Sequence, residues 1–523
     1  VQINLPGKSQ RVSGMLVQDY LENSAARHPE KVALVCGEQR FTYSQLDAMA
    51  NRLANSLRMD GVRRGSFVGI HLHNSLEAVV SIFAVLKADA TFVVINRNMK
   101  TEKLTSILNN CDAVALLTDQ RVLGQVTAEG LMEKVGSLKS IVCCGGSAGS
   151  KAENVRVYAD VQSIGDARRP VRKGIDLDLA CLIYTSGTTG EPKGVMCGHS
   201  NIVFVNDSIV SYLKHRQTDV VLSVLPLAFS YGLYQMLATF AVGGTFVLEA
   251  SFAFPTVVLE RMAKERVTGF AGVPTIFSLL LGMDLVAYDL TSLRYLSSAA
   301  AALPEEHAKR LRQSFANAEL VIMHGLTEVA RTMYLPSDQV LARPGSSGIA
   351  IPGTELWIES EGGERLGAGE IGELVVRGRH VMRGYWKDTA LSAQRFRPGP
   401  FAGEQVCYSG DLFRVDEAGY FYFVARKDDI IKSRGEKVAP REVENAIYSL
   451  KGVQEAAVIG VPDPMLGQVI KAFVLAPGTG LTSASVIAHC KANLEDYMVP
   501  RAVEFVNEFP KTESGKIQKN KLR

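Results

Sequence analysis

The chain has 523 residues, 57 Lys+Arg against 54 Asp+Glu, a formal net charge of +3, 47% hydrophobic and 21% charged residues. This balance excludes a disordered chain, a coiled coil and a collagen-like fibre, and near-neutrality gives no reason to expect nucleic acid as a partner. One hydrophobic core stops growing at about 250–300 residues, so more than one domain is expected.

The start, Val1 to Asn4, has no basic and no apolar signal region, so no secretory leader is expected. A helix is expected over Ser44 to Leu57, with Leu46, Met49, Ala50, Leu53 and Leu57 at helical spacing. Phe67 to Ile70 reads as a strand, Leu76 to Lys87 as a helix and Thr91 to Ile95 as a strand. Further strands are expected at Ala113 to Leu117, Ser140 to Cys144, Val220 to Leu225 and Gly244 to Leu248. Such strand–helix repetition predicts an α/β fold of parallel sheets covered by helices.

Val220 to Leu248 carries no charge but contains Pro226, Gly232, Gly243 and Gly244. It reads as a buried strand–loop–helix–strand run, and no membrane span is expected. From about Trp357 the pattern turns to short strands, including Glu370 to Val376 and Gly419 to Phe423, which predicts a small β-barrel-like subdomain. Arg426 to Asp429 is polar and reads as a linker. The tail reads as a small α+β unit: strand Ile430–Ile431, helix Arg441 to Leu450, strands Val453 to Ile459 and Ile470 to Leu475, helix Ser483 to Asn493. The expected organisation is a large domain, 1–427, of two β-α lobes plus the β-barrel subdomain, followed by a small domain, 428–523. Eight scattered cysteines show no zinc spacing and read as reduced thiols of a cytoplasmic protein.

The most informative segment follows the apolar strand Leu179 to Ile183. It is Tyr184-Thr185-Ser186-Gly187-Thr188-Thr189-Gly190-Glu191-Pro192-Lys193-Gly194. Glycines let backbone N–H groups turn toward a ligand, hydroxyls donate, and lysine adds positive charge, so the loop is built to grip phosphate. It is not a Walker A loop. Gly145-Gly146-Ser147-Ala148-Gly149 fits a nucleophile elbow, but polar Ser150 to Val155 lacks a helical apolar stripe, so a surface loop is expected. Cys143-Cys144 reads as a strand end, and His199 as structural, capping a helix with Ser200.

The phosphate loop resembles the signature of the adenylate-forming superfamily, which holds acyl-CoA synthetases, peptide-synthetase adenylation domains and beetle luciferases. Gly325-Leu326-Thr327-Glu328 resembles the G-x-T-E motif, and Tyr408-Ser409-Gly410-Asp411 the ribose-binding motif. Arg426-Lys427-Asp428-Asp429, Ile431 to Gly435 and Pro440-Arg441-Glu442-Val443-Glu444 resemble the hinge and the segment after it. Pro510-Lys511-Thr512-Glu513-Ser514-Gly515-Lys516-Ile517 resembles the motif of the C-terminal catalytic lysine. The motifs run in family order from Tyr184 to Ile517.

The resemblance implies roles by position. Thr185, Ser186, Gly187, Thr188, Thr189, Gly190 and Lys193 would hold the ATP phosphates. Glu328 would hold Mg2+, Thr327 would face the α-phosphate, and Asp411 with Arg426 would bind ribose. Asp428 would be the hinge of a mobile lid, and Lys516 would neutralise charge as carboxylate meets α-phosphate. His324 stands where the family commonly places a tyrosine against adenine; Ala425, Asp89 and Ala299-Ala300-Ala301 replace usual glycine positions.

Leu225 to Gly232 resembles the acyl-pocket segment, with Ser230 where amino-acid-activating relatives usually carry aspartate. A hydroxyl cannot neutralise an ammonium, so an ordinary α-amino acid is disfavoured. The other expected lining residues are Phe229, Tyr231, Tyr234, Ala299, Ala301, Met323, Val329 and Arg331, mostly apolar. Arg331 either pairs a second anionic group of the substrate, in which case Arg331→Ala raises KM selectively for such acids, or is structural. The implied activity is ATP-dependent formation of an acyl-adenylate with release of pyrophosphate, then thioester formation. CoA is the favoured acceptor over the phosphopantetheine of a carrier protein in trans. Oxidation of the adenylate with light emission and a catalytically silent nucleotide-binding relative are the remaining alternatives.

Overall fold

The computed structural model describes residues 15–145, 154–186, 192–433, 436–463, 467–512 and 516–522. Among them, the chain forms three sheets. The first runs in the order Val155–Val157, Ser140–Cys144, Ala115–Asp119, Phe67–His71, Thr91–Val94, Leu179–Ser186, Pro192–Gly198. All its pairings are parallel except the last, a hairpin.

The second sheet has a parallel half built from Val32–Cys36, Thr245–Leu248, Val220–Ser223, Gly269–Gly272, Tyr295–Ser298 and Glu319–His324. Beyond Glu319–His324 it turns antiparallel, through Met333–Leu335, Ser346–Ala350, Phe421–Arg426, Gln405–Val415, Ile371–Arg377 and Glu355–Glu359. The β-rich part after Trp357 is thus hydrogen-bonded to the second lobe. A third sheet, with strands between Ile431 and Phe505, belongs to the C-terminal unit.

The two lobes share one core. Helix Leu76–Lys87 has every residue from Ala78 onward buried, as an all-round apolar helix between sheets must be. Its Phe83 meets Phe240 of helix Ser230–Ala241 at 5.7 Å. The uncharged run 220–248 is the strand–helix–strand unit expected from its prolines and glycines. No helix among the described residues is long and apolar enough to cross a membrane. The C-terminal unit has its own cluster around Ile431, Val443, Ile447, Val458 and Val486. It rests on the large domain through Arg441, whose Nη1 donates to Phe423 O at 3.2 Å, and Tyr448, 5.8 Å from His307.

Local chemistry sets the element ends. Ser75 caps helix Leu76–Lys87 by accepting from Ala78 N, and past its end Asp89 takes a left-handed φ of 60°. Such a backbone favours glycine. Here the Asp89 carboxylate offsets the cost by pairing with Arg58 at 2.8 Å and accepting from Gly174 N at 3.0 Å. The strand expected from Ala113 begins instead at Ala115, because Asp112 is also left-handed (φ 50°) and the chain is still turning. His199 does not cap the helix it begins. Asn201 Oδ1 accepts from Gly198 N at 2.9 Å, while buried His199 Nδ1 accepts from Val17 N at 3.1 Å and pins the N-terminal segment. Cys143-Cys144 does end a strand; the rest of the elbow-like stretch, residues 146–153, lies outside the described residues.

Candidate active site

The hairpin Leu179–Ser186/Pro192–Gly198 sets Thr185 opposite Lys193 and Tyr184 opposite Gly194. Its tip, with Gly187, Thr188, Thr189 and Gly190, lies outside the described residues, as does the Ser186 side chain. The arms are held from both sides. Tyr184 Oη donates to Asn110 Oδ1 at 2.6 Å, Trp386 N donates to Gly194 O at 2.7 Å, and Met196 N donates to Gly384 O at 2.9 Å.

Strands Glu319–His324 and Met333–Leu335 are joined by a tight turn. Any side chain at Gly325 would overlap the Ala330 carbonyl, so only glycine fits there. Half-buried Thr327 and buried Glu328 stand on this turn. Glu328 Oε1 accepts from Tyr385 Oη at 2.5 Å, a charge-assisted bond that fixes the carboxylate. Burial, then the Glu328 charge, raises the Tyr385 pKa, so the phenol keeps its proton. Burial works against charge on Arg395, yet nearby Glu328 and Tyr385 raise its pKa.

Asp411 is 5% exposed and pairs in register with Arg426 on the neighbouring strand. Arg426 Nε is 3.2 Å from Oδ1, and His324 Nε2 is 3.4 Å from Oδ2. Burial pushes the carboxyl pKa up, but His324, Arg426 and Arg395 outweigh it and hold Asp411 ionised. His324 Nδ1 meets Thr332 Oγ1 at 2.8 Å, and its ring lies 6.4 Å from Phe423, stacked at 29°. Gly410 has φ 69°, and a side chain there would overlap the Arg395 guanidinium.

Lys516 comes from the C-terminal unit, where its N donates to Thr512 Oγ1 at 3.0 Å. Its residue surface keeps solvent access, but protein walls the amine. That partial desolvation, then Arg426, lowers its pKa, while Asp411 and Glu328 raise it. The lysine therefore shares one electrostatic environment with Arg426, Asp411 and Glu328. Asp428 lies in the turn Lys427–Asp429 between the large domain's last strand and the C-terminal unit's first.

On the other side of the turn the structure gathers Tyr231, Tyr234, Met323 and Arg331, all buried, with Ala299 and Val329 also buried. Phe229 and Ser230 are half-buried at the start of helix Ser230–Ala241, and Ala301 is exposed. A side chain at Gly232 would overlap the Pro226 carbonyl, so the segment folds back only with glycine. Asn74 clamps it, donating to Leu225 O at 3.0 Å and accepting from Leu227 N at 3.1 Å. Sequence reasoning missed Asn74, Tyr385 and Arg395. Each acts across a long chain separation; only the aromatic pair Tyr385-Trp386 beside Gly384 offered a signal.

The residues suit Mg2+ and a nucleotide. Asp411 Oδ1 is buried and accepts no well-formed hydrogen bond among the described residues, which suits it to a ribose hydroxyl. No group of three or more metal-ligating side chains exists among the described residues. Mg2+ needs none, since it commonly takes one or two carboxylates plus substrate phosphates.

Comparison with known proteins agrees with this geometry. The AMP-binding enzyme family model matches residues 21–386, and the AMP-binding enzyme C-terminal domain matches 442–516. A feruloyl-CoA synthase of an Amycolatopsis species is 35% identical over 507 residues, covering 95% of this chain and 96% of its own. A long-chain-fatty-acid–CoA ligase of Bacillus subtilis is 31% identical, covering 100% and 95%. The structure of the anthranilate CoA ligase AuaEII with anthranoyl-AMP superposes with a TM-score of 0.89 at 30% identity, covering 97% and 96%. The chain belongs to the AMP-binding enzyme family, within the adenylate-forming superfamily. As such it is an AMP-forming ligase.

Proposed function

We propose that the protein uses ATP to convert a carboxylic acid to an acyl-adenylate, releasing pyrophosphate, and then transfers the acyl group to the thiol of CoA. What supports this reading is that Lys516 of the C-terminal unit lies within electrostatic reach of Asp411, Arg426 and Glu328 of the large domain. A carboxylate attacking a phosphate brings anions together, and a cation placed where charge develops lowers that barrier. Thr185, Lys193 and the hairpin tip bind the phosphates. Asp411 and Arg426 orient the ribose, and His324 stands against the base.

Glu328, fixed by Tyr385, would hold Mg2+, which when bound neutralises phosphate charge. The boundary near residue 427 and the hinge at Asp428 belong to this reading. The turn there lets the C-terminal unit leave after adenylation and admit the thiol. Arg441 and Tyr448 make two of the contacts it must break. Eight free cysteines suit a reducing, cytoplasmic setting.

Pyrophosphate release and AMP formation across a panel of acids, with CoA and with phosphopantetheinylated carrier protein as acceptors, test the reading. Acid-dependent AMP formation with a CoA thioester as product is expected. No acid-dependent AMP would overturn the activity, and thioester on carrier protein alone would overturn the acceptor.

A further inference from the structure

The acyl side of the cleft holds a buried cation that pairs with no carboxylate among the described residues. Arg331 is 3% exposed. Its Nη1 donates to the Ala330 carbonyl at 2.9 Å, but Nε and Nη2 find no acceptor with hydrogen-bond geometry among the described residues. The guanidinium lies 4.8 Å from the centre of the Tyr231 ring. Burial pushes the Tyr212 phenol up to about 12 while Arg331 beside it pulls the other way. The Tyr212 and Tyr231 hydroxyls donate elsewhere, to Met323 Sδ at 3.0 Å and Ser297 O at 2.8 Å, so toward the Arg331 guanidinium Tyr212 offers only a neutral oxygen lone pair and no counter-charge. The buried Tyr234 hydroxyl, like the free guanidinium edge, has no partner among the described residues.

A buried cation without a counter-ion is costly, and it persists where something outside the chain supplies the anion. The free edge suits an anion with two oxygens to offer, and the substrates of such a ligase are carboxylic acids. Nε and Nη2 form the parallel fork that grips both oxygens of a carboxylate. Among the described residues other arginines use that edge in that way, for example Arg97 on Asp119 at 2.7 and 3.0 Å, Arg294 on Asp219 at 3.2 and 2.7 Å, and Arg64 on Asp178 at 2.8 and 2.8 Å.

We propose that Arg331 binds a second carboxylate of the acid substrate, remote from the one that is adenylated, so that the preferred substrate is a dicarboxylic acid. This inference rests on the ligase reading above. On this proposal the carbon skeleton lies against Tyr231, Tyr234 and Met323, and the Tyr234 hydroxyl, unpartnered among the described residues, donates to the remote carboxylate.

The test uses matched pairs of acids with the wild-type enzyme: hexanoate with adipate, octanoate with suberate, benzoate with each benzenedicarboxylate. Pyrophosphate release is the common readout. In at least one pair the diacid is expected to show a kcat/KM about tenfold or more above its partner, the effect of one hydrogen-bonded charge pair. Arg331→Leu is expected to abolish that preference through KM, to keep turnover of the monoacid, and to leave Tm unchanged or raised. Arg331→Lys, which keeps the charge but loses the fork, should fall between.

Monoacids preferred in every pair would overturn the inference while leaving the ligase reading intact. So would an Arg331→Leu enzyme slowed equally on all acids with a lowered Tm, the result of a structural arginine. If that variant fails to fold, the wild-type ratios alone decide. Wild type silent on every acid would overturn the ligase reading and this inference with it.

Discussion

The proposed nucleotide side and the proposed acyl side of the site meet at the same short turn, yet they treat charge in opposite ways. On the nucleotide side the carboxylates have internal partners. Asp411 faces His324 and Arg426, and Glu328 accepts from Tyr385 with Arg395 nearby. On the proposed acyl side two Arg331 donors find no acceptor with hydrogen-bond geometry among the described residues, beside the Tyr231 ring. The first arrangement is set before ligand arrives and costs little to reorganise, as catalysis of charge development requires. The second is completed only by the right ligand, as selectivity requires.

The contrast can be broken first at Lys516. Lys516→Ala is expected to lower adenylate formation about 10²–10³-fold, the usual loss for one stabiliser of developing charge, with ATP affinity little changed. Single-turnover AMP formation beside equilibrium ATP binding checks this, and parallel loss of both would make Lys516 a binding residue. Next, Tyr385→Phe frees the Glu328 carboxylate. A hydrogen bond to a charged group contributes about 1.5–3 kcal/mol, so kcat/KM should fall at least roughly tenfold, partly restored by raised Mg2+.

A gentler probe is pH. Lys516 must be protonated to neutralise charge, and its pKa lies below that of an ordinary lysine. As pH rises through that lowered pKa the cation is lost, so the alkaline fall in adenylate formation should come earlier than for a free amine. Lys516→Arg should move that limb upward. The smallest effect is expected at Ala300, where φ is 74°. A left-handed alanine costs about 1–2 kcal/mol and glycine offsets part of that with its larger unfolded-state entropy. Ala300→Gly should therefore shift stability by about 1 kcal/mol or less, toward a higher Tm.

Much of this molecule could be read from its residues. Helix Leu76–Lys87 was legible to its ends because apolar periodicity, Ser75 and the Ala88-Asp89 break coincide. Helix Ser483–Asn493 was legible too. The family was legible because its motif segments, from Tyr184 to Ile517, each carry a distinct local pattern, and the family models match 21–386 and 442–516. What stayed hidden depends on distance. Nothing near Gly410 announces that Arg395 occupies the place of its side chain, and nothing near Leu225 points to Asn74. Whether Arg331 had a partner was likewise undecidable from spacing, since a guanidinium reaches groups on any neighbouring element.

Tyr385 has one further consequence. Its backbone bridges to Val195 on the hairpin, and its hydroxyl holds Glu328. One residue is therefore the spacer between the Pro192–Gly198 arm of the hairpin and the Glu328 carboxylate. Lengthening the Gly384–Trp386 crossing by a residue would detune that spacing without touching any motif, an inactive enzyme with every signature intact.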